Sequence, residues 1–265
     1  MIKVISKEMK VATRAAKEAG KMLMEYYGKV DRNYRYDGST VTEADLEVER
    51  IIKHILSREF PDHSFLGEES GIEKGDSEYL WVIDPLDGTT NFTMRNPFFN
   101  TSIALTFRRE PILGVVYNPY EDEIFQAERG KGAFLNGDRI RVSEEDEIKN
   151  SIITFSHGGD KRSVEIMIDI FGKLKLINGK VRQIGAAALE LCFVACGRVE
   201  AFFMPGPNLW DVLAGALIVK EANGRVTDFK GNSFKISSSD ILASNGKIHG
   251  ELIEIIKERG KAKNF

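Results

Sequence analysis

The chain has 265 residues, 42% of them hydrophobic, enough to bury a substantial core as one large domain or two fused ones. Its 37 Lys and Arg nearly balance 40 Asp and Glu, for a formal net charge of −3 with no long basic run, so nucleic acid is not expected as a partner. No signal-peptide pattern opens the sequence and no apolar stretch approaches membrane-spanning length, so the expectation is a cytoplasmic protein with no membrane partner. Cys192 and Cys196 stand one helical turn apart in an apolar segment, which fits core packing better than a redox pair.

Helical spacing runs from about Ser6 to Tyr27, with Met9, Ala12, Ala16, Ala19, Leu23 and Tyr26 on one face and Gly28 as the stop. Thr40-Val41-Thr42-Glu43-Ala44-Asp45 leads into a second helix, 45–60, whose expected apolar side is Leu46, Val48, Ile51, Ile52, Ile55 and Leu56. Strands are expected at 64–66, 80–83, 101–107, 112–117, 123–128 and 133–135, with turns such as Asn136-Gly137-Asp138 between them. The charged stretch 143–149 is the best boundary, dividing an N-terminal α+β domain, residues 1–145, from a C-terminal α/β domain, residues 146–265. Beyond it strands at 152–155, 181–183 and 201–203 alternate with helices at 163–174, 186–195 and 210–222, before a closing helix at 247–257. That alternation suggests α/β layering.

The chemistry concentrates in Trp81-Val82-Ile83-Asp84-Pro85-Leu86-Asp87-Gly88-Thr89-Thr90-Asn91-Phe92, where an apolar run ends in two aspartates three apart. Pro85 fixes its own φ and restricts Asp84, so the carboxylates leave the strand in a defined direction. Leu86 can add its carbonyl, Gly88 permits close approach of an anion, and Thr89 or Thr90 can open a helix whose free N–H groups favour phosphate. A strand followed by an ordinary Asp-Gly turn fits the same residues. Phe65-Leu66-Gly67-Glu68-Glu69-Ser70 repeats the design, and Asn208-Leu209-Trp210-Asp211-Val212 places another acid at the start of an apolar helix. Magnesium needs only a few carboxylates gathered with a substrate phosphate, and no His or Cys cluster competes for zinc. Asp45 read alone is a helix N-terminal acid favoured by the macrodipole.

These segments, together with Gly114-Val115-Val116-Tyr117, Gly130-Lys131-Gly132-Ala133-Phe134-Leu135-Asn136-Gly137 and Lys220-Glu221-Ala222-Asn223-Gly224, resemble the inositol monophosphatase family. That family falls within the lithium-sensitive, Mg²⁺-dependent phosphatases, which include fructose-1,6-bisphosphatases. The resemblance covers almost the whole chain and implies a layered α/β/α/β/α sandwich of the sugar-phosphatase type. It implies a homodimer and two to three Mg²⁺ ions. Glu68, Asp84 and the Leu86 carbonyl would serve the first ion, Asp84, Asp87 and Asp211 the second, and Glu68 a weaker third through water, with Glu69 beside the site. Thr89 and Asp45 match the pair that orients and deprotonates the attacking water. Substrate contacts are implied for Asp87, Gly88, Thr89, Gly185, Ala186, Ala187 and Asp211. Two departures bear on specificity: Ala186 replaces a threonine, and Met204 stands where many members carry a glutamate that binds inositol hydroxyls. Lys161 and Arg162, in His157-Gly158-Gly159-Asp160-Lys161-Arg162, either serve a second phosphate or form a solvated basic turn. The expected activity is hydrolysis of inositol monophosphate and related small polyol phosphates, with a fructose-1,6-bisphosphatase, or a regulatory binding protein on the same fold, as alternatives.

Overall fold

The structure, a computed structural model, describes residues 6–30, 33–34 and 40–258. Helix α1 (Lys7–Tyr26) is capped by the Ser6 side chain, which accepts the Met9 N–H. Two short paired strands, β1 (Asn33–Tyr34) and β2 (Thr40–Val41), separate it from α2 (Glu43–Glu59). A run of strands follows: β3 (Ser64–Gly67), β4 (Gly71–Glu73) and β5 (Tyr79–Asp87), then the short helix α3 (Thr89–Thr93). Next come β6 (Asn100–Phe107), β7 (Glu110–Asn118), β8 (Glu123–Glu128), β9 (Gly132–Leu135) and β10 (Asp138–Arg139). They form an eight-stranded mixed sheet in the order β10-β9-β8-β7-β6-β5-β3-β4, with β3 and β5 parallel.

The remaining chain supplies β11 (Ile153–Phe155), α4 (Lys161–Ile177), β12 (Val181–Arg182), α5 (Ala187–Ala195), β13 (Ala201–Pro205), α6 (Leu209–Glu221), β14 (Arg225–Thr227), β15 (Asp240–Ser244) and α7 (His249–Lys257). Its strands make a five-stranded sheet in the order β12-β11-β13-β15-β14, parallel between β12, β11 and β13 and antiparallel beyond.

The side-chain alternation of the strands explains how the layers stack. On β5, Trp81 and Ile83 join the core beneath α1 and α2, whereas Val82 joins the core around α5 and α6. On β13, Phe202 and Met204 face that same central core, whereas Ala201 and Phe203 face the third core, built with α4 and α7. Two sheets, each apolar on both faces, need helices on both sides. The result is the expected α/β/α/β/α sandwich, with α5 and α6 buried between the sheets. Helix α6 lies directly on β7 because Gly114 has no side chain; a Cβ there would stand 2.8 Å from the Ala214 carbonyl oxygen. Among the described residues, no helix is long and apolar enough to cross a membrane.

The apolar side of α2 is rotated from the expected one. Leu46 is 53% exposed, while Asp45, Val48, Glu49, Ile52 and Leu56 are buried. Ala44 and Val48 on this face join the core with the sheet, while Asp45 and Glu49 beside them reach the polar turns after β5 and β3.

His249 opens α7 in full burial between two hydroxyls. Thr227 Oγ1 donates to the Asp228 carbonyl at 2.7 Å, so it accepts from His249 Nε2 at 2.9 Å. Nδ1 is left to accept from the Ser244 hydroxyl at 2.7 Å, which fixes the neutral ring. Burial, and secondarily Arg225, lowers this histidine to about 4. The folded state therefore prefers neutral imidazole. That contribution is complete above the ordinary value of about 6.5 and is lost as pH falls from there towards 4, by up to about 3 kcal/mol. Denaturant unfolding of wild type and His249→Asn between pH 7 and pH 4 should show the steeper loss in wild type; parallel curves would contradict this assignment.

Candidate active site

Strand β5 changes register against β6 just where the acids lie. Asp84 pairs with Ser102 and Asp87 with Asn100, so β5 carries one extra residue over this step. Pro85, lacking an N–H, falls inside that bulge, and its carbonyl accepts the Thr101 hydroxyl at 3.0 Å. In a regular strand, residues three apart point to opposite faces. The bulge instead sends Asp84 and Asp87 towards the N-termini of α5 and α6, while Leu86 remains in the core under α1 and α2.

Each acid is held by backbone donors. The Leu86 N–H donates to Asp84 Oδ1 at 3.0 Å. Asp87 accepts from the Ala187 N–H at 3.0 Å, the Ala188 N–H at 2.8 Å and the Asn100 amide at 2.7 Å. Asp211 belongs to the capping box of α6 and accepts the Asn208 N–H at 2.9 Å. Glu68 extends the β3–β5 pairing by donating its N–H to the Ile83 carbonyl at 3.2 Å. The buried Glu49 of α2 holds the next turn by accepting the Glu69 and Ser70 N–H groups at 2.8 and 3.1 Å.

The electrostatics record how close these acids are. Burial first, then the charges of Glu68, Asp87 and Asp211 and a hydrogen bond with Glu68, hold the Asp84 carboxyl well above the usual range. Burial, with Asp87 and Glu68 adding to it, pushes Asp211 up to about 8. Asp87 is raised by burial against the opposing pull of Asn100 and the backbone N–H groups. Among the described residues, no three His, Cys, Asp or Glu side chains are closed up as a ready-made ion cage. Magnesium does not require one: it is held by one or two carboxylates, keeps several waters and accepts phosphate oxygens. Hard oxygen donors that repel one another in a buried setting fit such a cation. The Leu86 carbonyl accepts the Thr89 hydroxyl at 3.0 Å and has a second lone pair for a further contact.

Asp45 and Thr89, far apart in sequence, meet here. Thr89 Oγ1 lies 3.2 Å from Asp45 Oδ1, and Asp45 Oδ2 accepts both the N–H and the hydroxyl of Thr42 at 2.7 Å. Asp45 is thus both the reciprocal acid of the α2 capping box and the partner of Thr89. Gly88 caps α3 at φ 87°, and a Cβ on it would meet the Phe98 carbonyl at 2.8 Å and Ala186 Cβ at 3.1 Å. This contact sets the 88–89 turn against the 185–187 turn, whose Gly185 also has positive φ. Asn91 ties the two together by donating to the Phe98 and Ile184 carbonyls at 2.9 Å.

Other expected positions lie elsewhere. Met204 is 4% exposed in the central core. Asp160 caps α4 by accepting the Ser163 N–H at 3.0 Å, and Lys161 extends into solvent beside Glu165 at 3.7 Å, as a solvated basic turn would. Arg182 folds back on the Gly179 and Val181 carbonyls at 3.2 and 3.3 Å. Thr42, Glu49, Asn91, Asn100 and Glu190 were not singled out from sequence. Glu49 and Glu190 had a visible signal, a lone acid on the apolar side of a helical segment.

Layering and site together place the molecule among the sugar-phosphatase-type α/β hydrolases. A family model described as the inositol monophosphatase family matches residues 5–261. Inositol monophosphatase 2 of Solanum lycopersicum is 40% identical over 261 residues, covering 94% of this chain and 97% of its own. A Thermotoga maritima protein named fructose-1,6-bisphosphatase/inositol-1-monophosphatase is 38% identical over 244 residues, covering 91% and 93%. Among solved structures, the extragenic suppressor protein suhB of Bartonella henselae superposes with a TM-score of 0.91 at 36% identity, over 96% of this chain and 100% of that one. The chain belongs to the inositol monophosphatase family and is a phosphoric monoester hydrolase of that type.

Replacing Asp84 by asparagine removes the most crowded of the repelling charges. In the presence of chelator, Asp84→Asn should unfold at a higher temperature than wild type. Mg²⁺ should raise the wild-type Tm, by roughly 2.7 kcal/mol of stability at a hundredfold excess over Kd, and leave the variant nearly unmoved. An equal response of both proteins in a thermal scan would exclude Asp84 as a ligand.

Proposed function

We propose that the protein is a Mg²⁺-dependent phosphomonoesterase that hydrolyses inositol monophosphate and related small polyol or sugar phosphates by direct attack of water. The observation that carries this reading is the Thr89 hydroxyl, which stands 3.2 Å from Asp45 Oδ1 and 3.0 Å from the Leu86 carbonyl, itself between two acids of the cluster. Glu68, Asp84 and the Leu86 carbonyl would hold one Mg²⁺, and Asp84, Asp87 and Asp211 a second; Glu68 would reach a third through water. Bound there, the ions would neutralise phosphoryl oxygens and lower the pKa of a water.

The protein groups supply orientation and a proton path. With its proton turned from the Leu86 carbonyl to Asp45, Thr89 Oγ1 can accept a hydrogen bond from the attacking water, so Asp45 acts as base through a neutral hydroxyl. Thr42 fixes the other Asp45 oxygen and with it the orientation of the carboxylate. Backbone N–H groups of Gly88 and Thr89 would take phosphate oxygens. No protein nucleophile is required, so no phosphoenzyme forms.

The substrate's alcohol would lie along Gly185, Ala186 and Ala187, with Asp87 and Asp211 beside it. The N–H groups from 185 to 188 are already committed, to Glu190 or Asp87. The carbonyls of this turn also accept, from Asn91 and the Glu190 N–H, but each keeps a second lone pair that suits a hydroxyl donor. Met204 is packed in the central core and gives ring hydroxyls no acceptor, so the turn carries the alcohol contacts, which suits broad use of small polyol phosphates. A dual activity that includes fructose-1,6-bisphosphate is the second reading, favoured by the name of the Thermotoga maritima relative.

Thr89→Ala and Asp45→Asn should each lower kcat by about a hundredfold or more with little change in KM, since their contact matters in the transition state. A rise in KM alone would make them binding groups. Parallel turnover of inositol-1-phosphate, glycerol-2-phosphate and fructose-1,6-bisphosphate should give kcat/KM values within about 1–2 kcal/mol of one another, the worth of one missing charged hydrogen bond. Strong selectivity for a single inositol phosphate would defeat the broad-substrate reading.

A further inference from the structure

Glu190 is a fully buried acid in α5, a helix otherwise made of alanine, leucine, cysteine, phenylalanine and valine. Its Oε1 accepts the Gly185 N–H at 3.0 Å and the Ala186 N–H at 3.4 Å. Beyond these two N–H groups, the Thr154 hydroxyl, shared with the Ala201 carbonyl at 3.5 Å, stands beside the carboxyl. A core that needed only volume would be better served there by leucine, since burying a carboxyl is costly even where it is hydrogen-bonded. What the acid provides is position. It gathers the two N–H groups just ahead of the helix, while the Asn91 amide holds the Ile184 and Gly185 carbonyls at 2.9 and 3.3 Å. The next two N–H groups, of Ala187 and Ala188, are thereby aimed at the two oxygens of Asp87.

We propose that Glu190 is a positioning residue, one that orients Asp87 through the 185–188 turn and so sets the affinity of the site for its divalent cation. This rests on the proposed function for its cation and its substrate, but not for the geometry of the turn. Residues that orient a ligand typically change metal affinity by about 10–100-fold when removed.

The test compares Glu190→Ala, Glu190→Gln and Glu190→Asp with wild type in three measurements: amide exchange of Ala187 and Ala188 in chelator, calorimetric titration with Mg²⁺, and KM and kcat on inositol-1-phosphate. Glutamine keeps a carbonyl acceptor at the same reach, so Glu190→Gln should resemble wild type in all three. Glu190→Ala should exchange the Ala187 and Ala188 amides faster and bind Mg²⁺ at least about tenfold more weakly, with KM raised. Glu190→Asp, one methylene shorter, should fall between them, and it decides the matter if the alanine variant does not fold. A purely structural role would lower Tm and leave the Mg²⁺ affinity of the folded protein unchanged, and that result overturns the proposal. Equal damage from glutamine and alanine also overturns it, because the charge rather than the turn would then matter. A wild-type protein that neither binds Mg²⁺ nor hydrolyses the ester would refute the proposed function; unchanged amide exchange in Glu190→Ala would refute the role of Glu190 itself.

Discussion

The arrangement depends on acids of like charge brought together at one end of β5, with Asp84 buried and Glu68, Asp87 and Asp211 half-buried around it. Such a grouping is unfavourable by itself, since low-dielectric surroundings weaken the hydration of each carboxylate and strengthen the repulsion between them. The fold compensates locally with backbone dipoles. The N-termini of α5 and α6 are directed at Asp87 and Asp211, where the helix macrodipole favours negative charge. That compensation is partial: burial, and after it the neighbouring carboxylates, still raise Asp84 and Asp211 far from their ordinary range.

The five layers follow from the same requirement. A strand end can collect residues from both halves of the chain only if helices from the second half pack directly on the first sheet. Gly114 lets α6 approach β7, and the contact of Gly88 with Ala186 joins the turn after β5 to the turn before α5. Asn91 and Glu190 then secure the carbonyls and N–H groups of that second turn. Buried polar residues also hold the other groups from behind: Thr42 holds Asp45, Glu49 the 68–70 turn and Asn100 Asp87.

Much of this was legible in the sequence because it rests on local chemistry. The helix beginning at Ser6 has a hydroxyl cap and a clean apolar face, and the strands of the first sheet carry long apolar runs. The pairing of Asp84 with Asp87 across a proline marked the strand end, although the bulge that turns both to one side has no signature in residue order. Strands β14 and β15 escaped notice because their short buried segments lie in a stretch rich in serine, asparagine and lysine, and only tertiary pairing defines them. Leu46 of α2 is exposed and Asp45 and Glu49 buried because periodicity does not report which helix positions face polar turns. Asn91 acts through contacts made across more than ninety residues, between the turn after β5 and the turn before α5, and no spacing rule reports those.

The account turns on whether the acids at the end of β5 receive a divalent cation. Crystals of the wild-type protein soaked in Mn²⁺ as a substitute for Mg²⁺, with anomalous diffraction measured at the manganese edge, test this most directly. The account predicts anomalous density within about 2.0–2.3 Å of an Asp84 carboxylate oxygen, shared with Glu68 on one side or with Asp87 and Asp211 on the other. Absence of density there, at manganese concentrations that support full turnover, would contradict it.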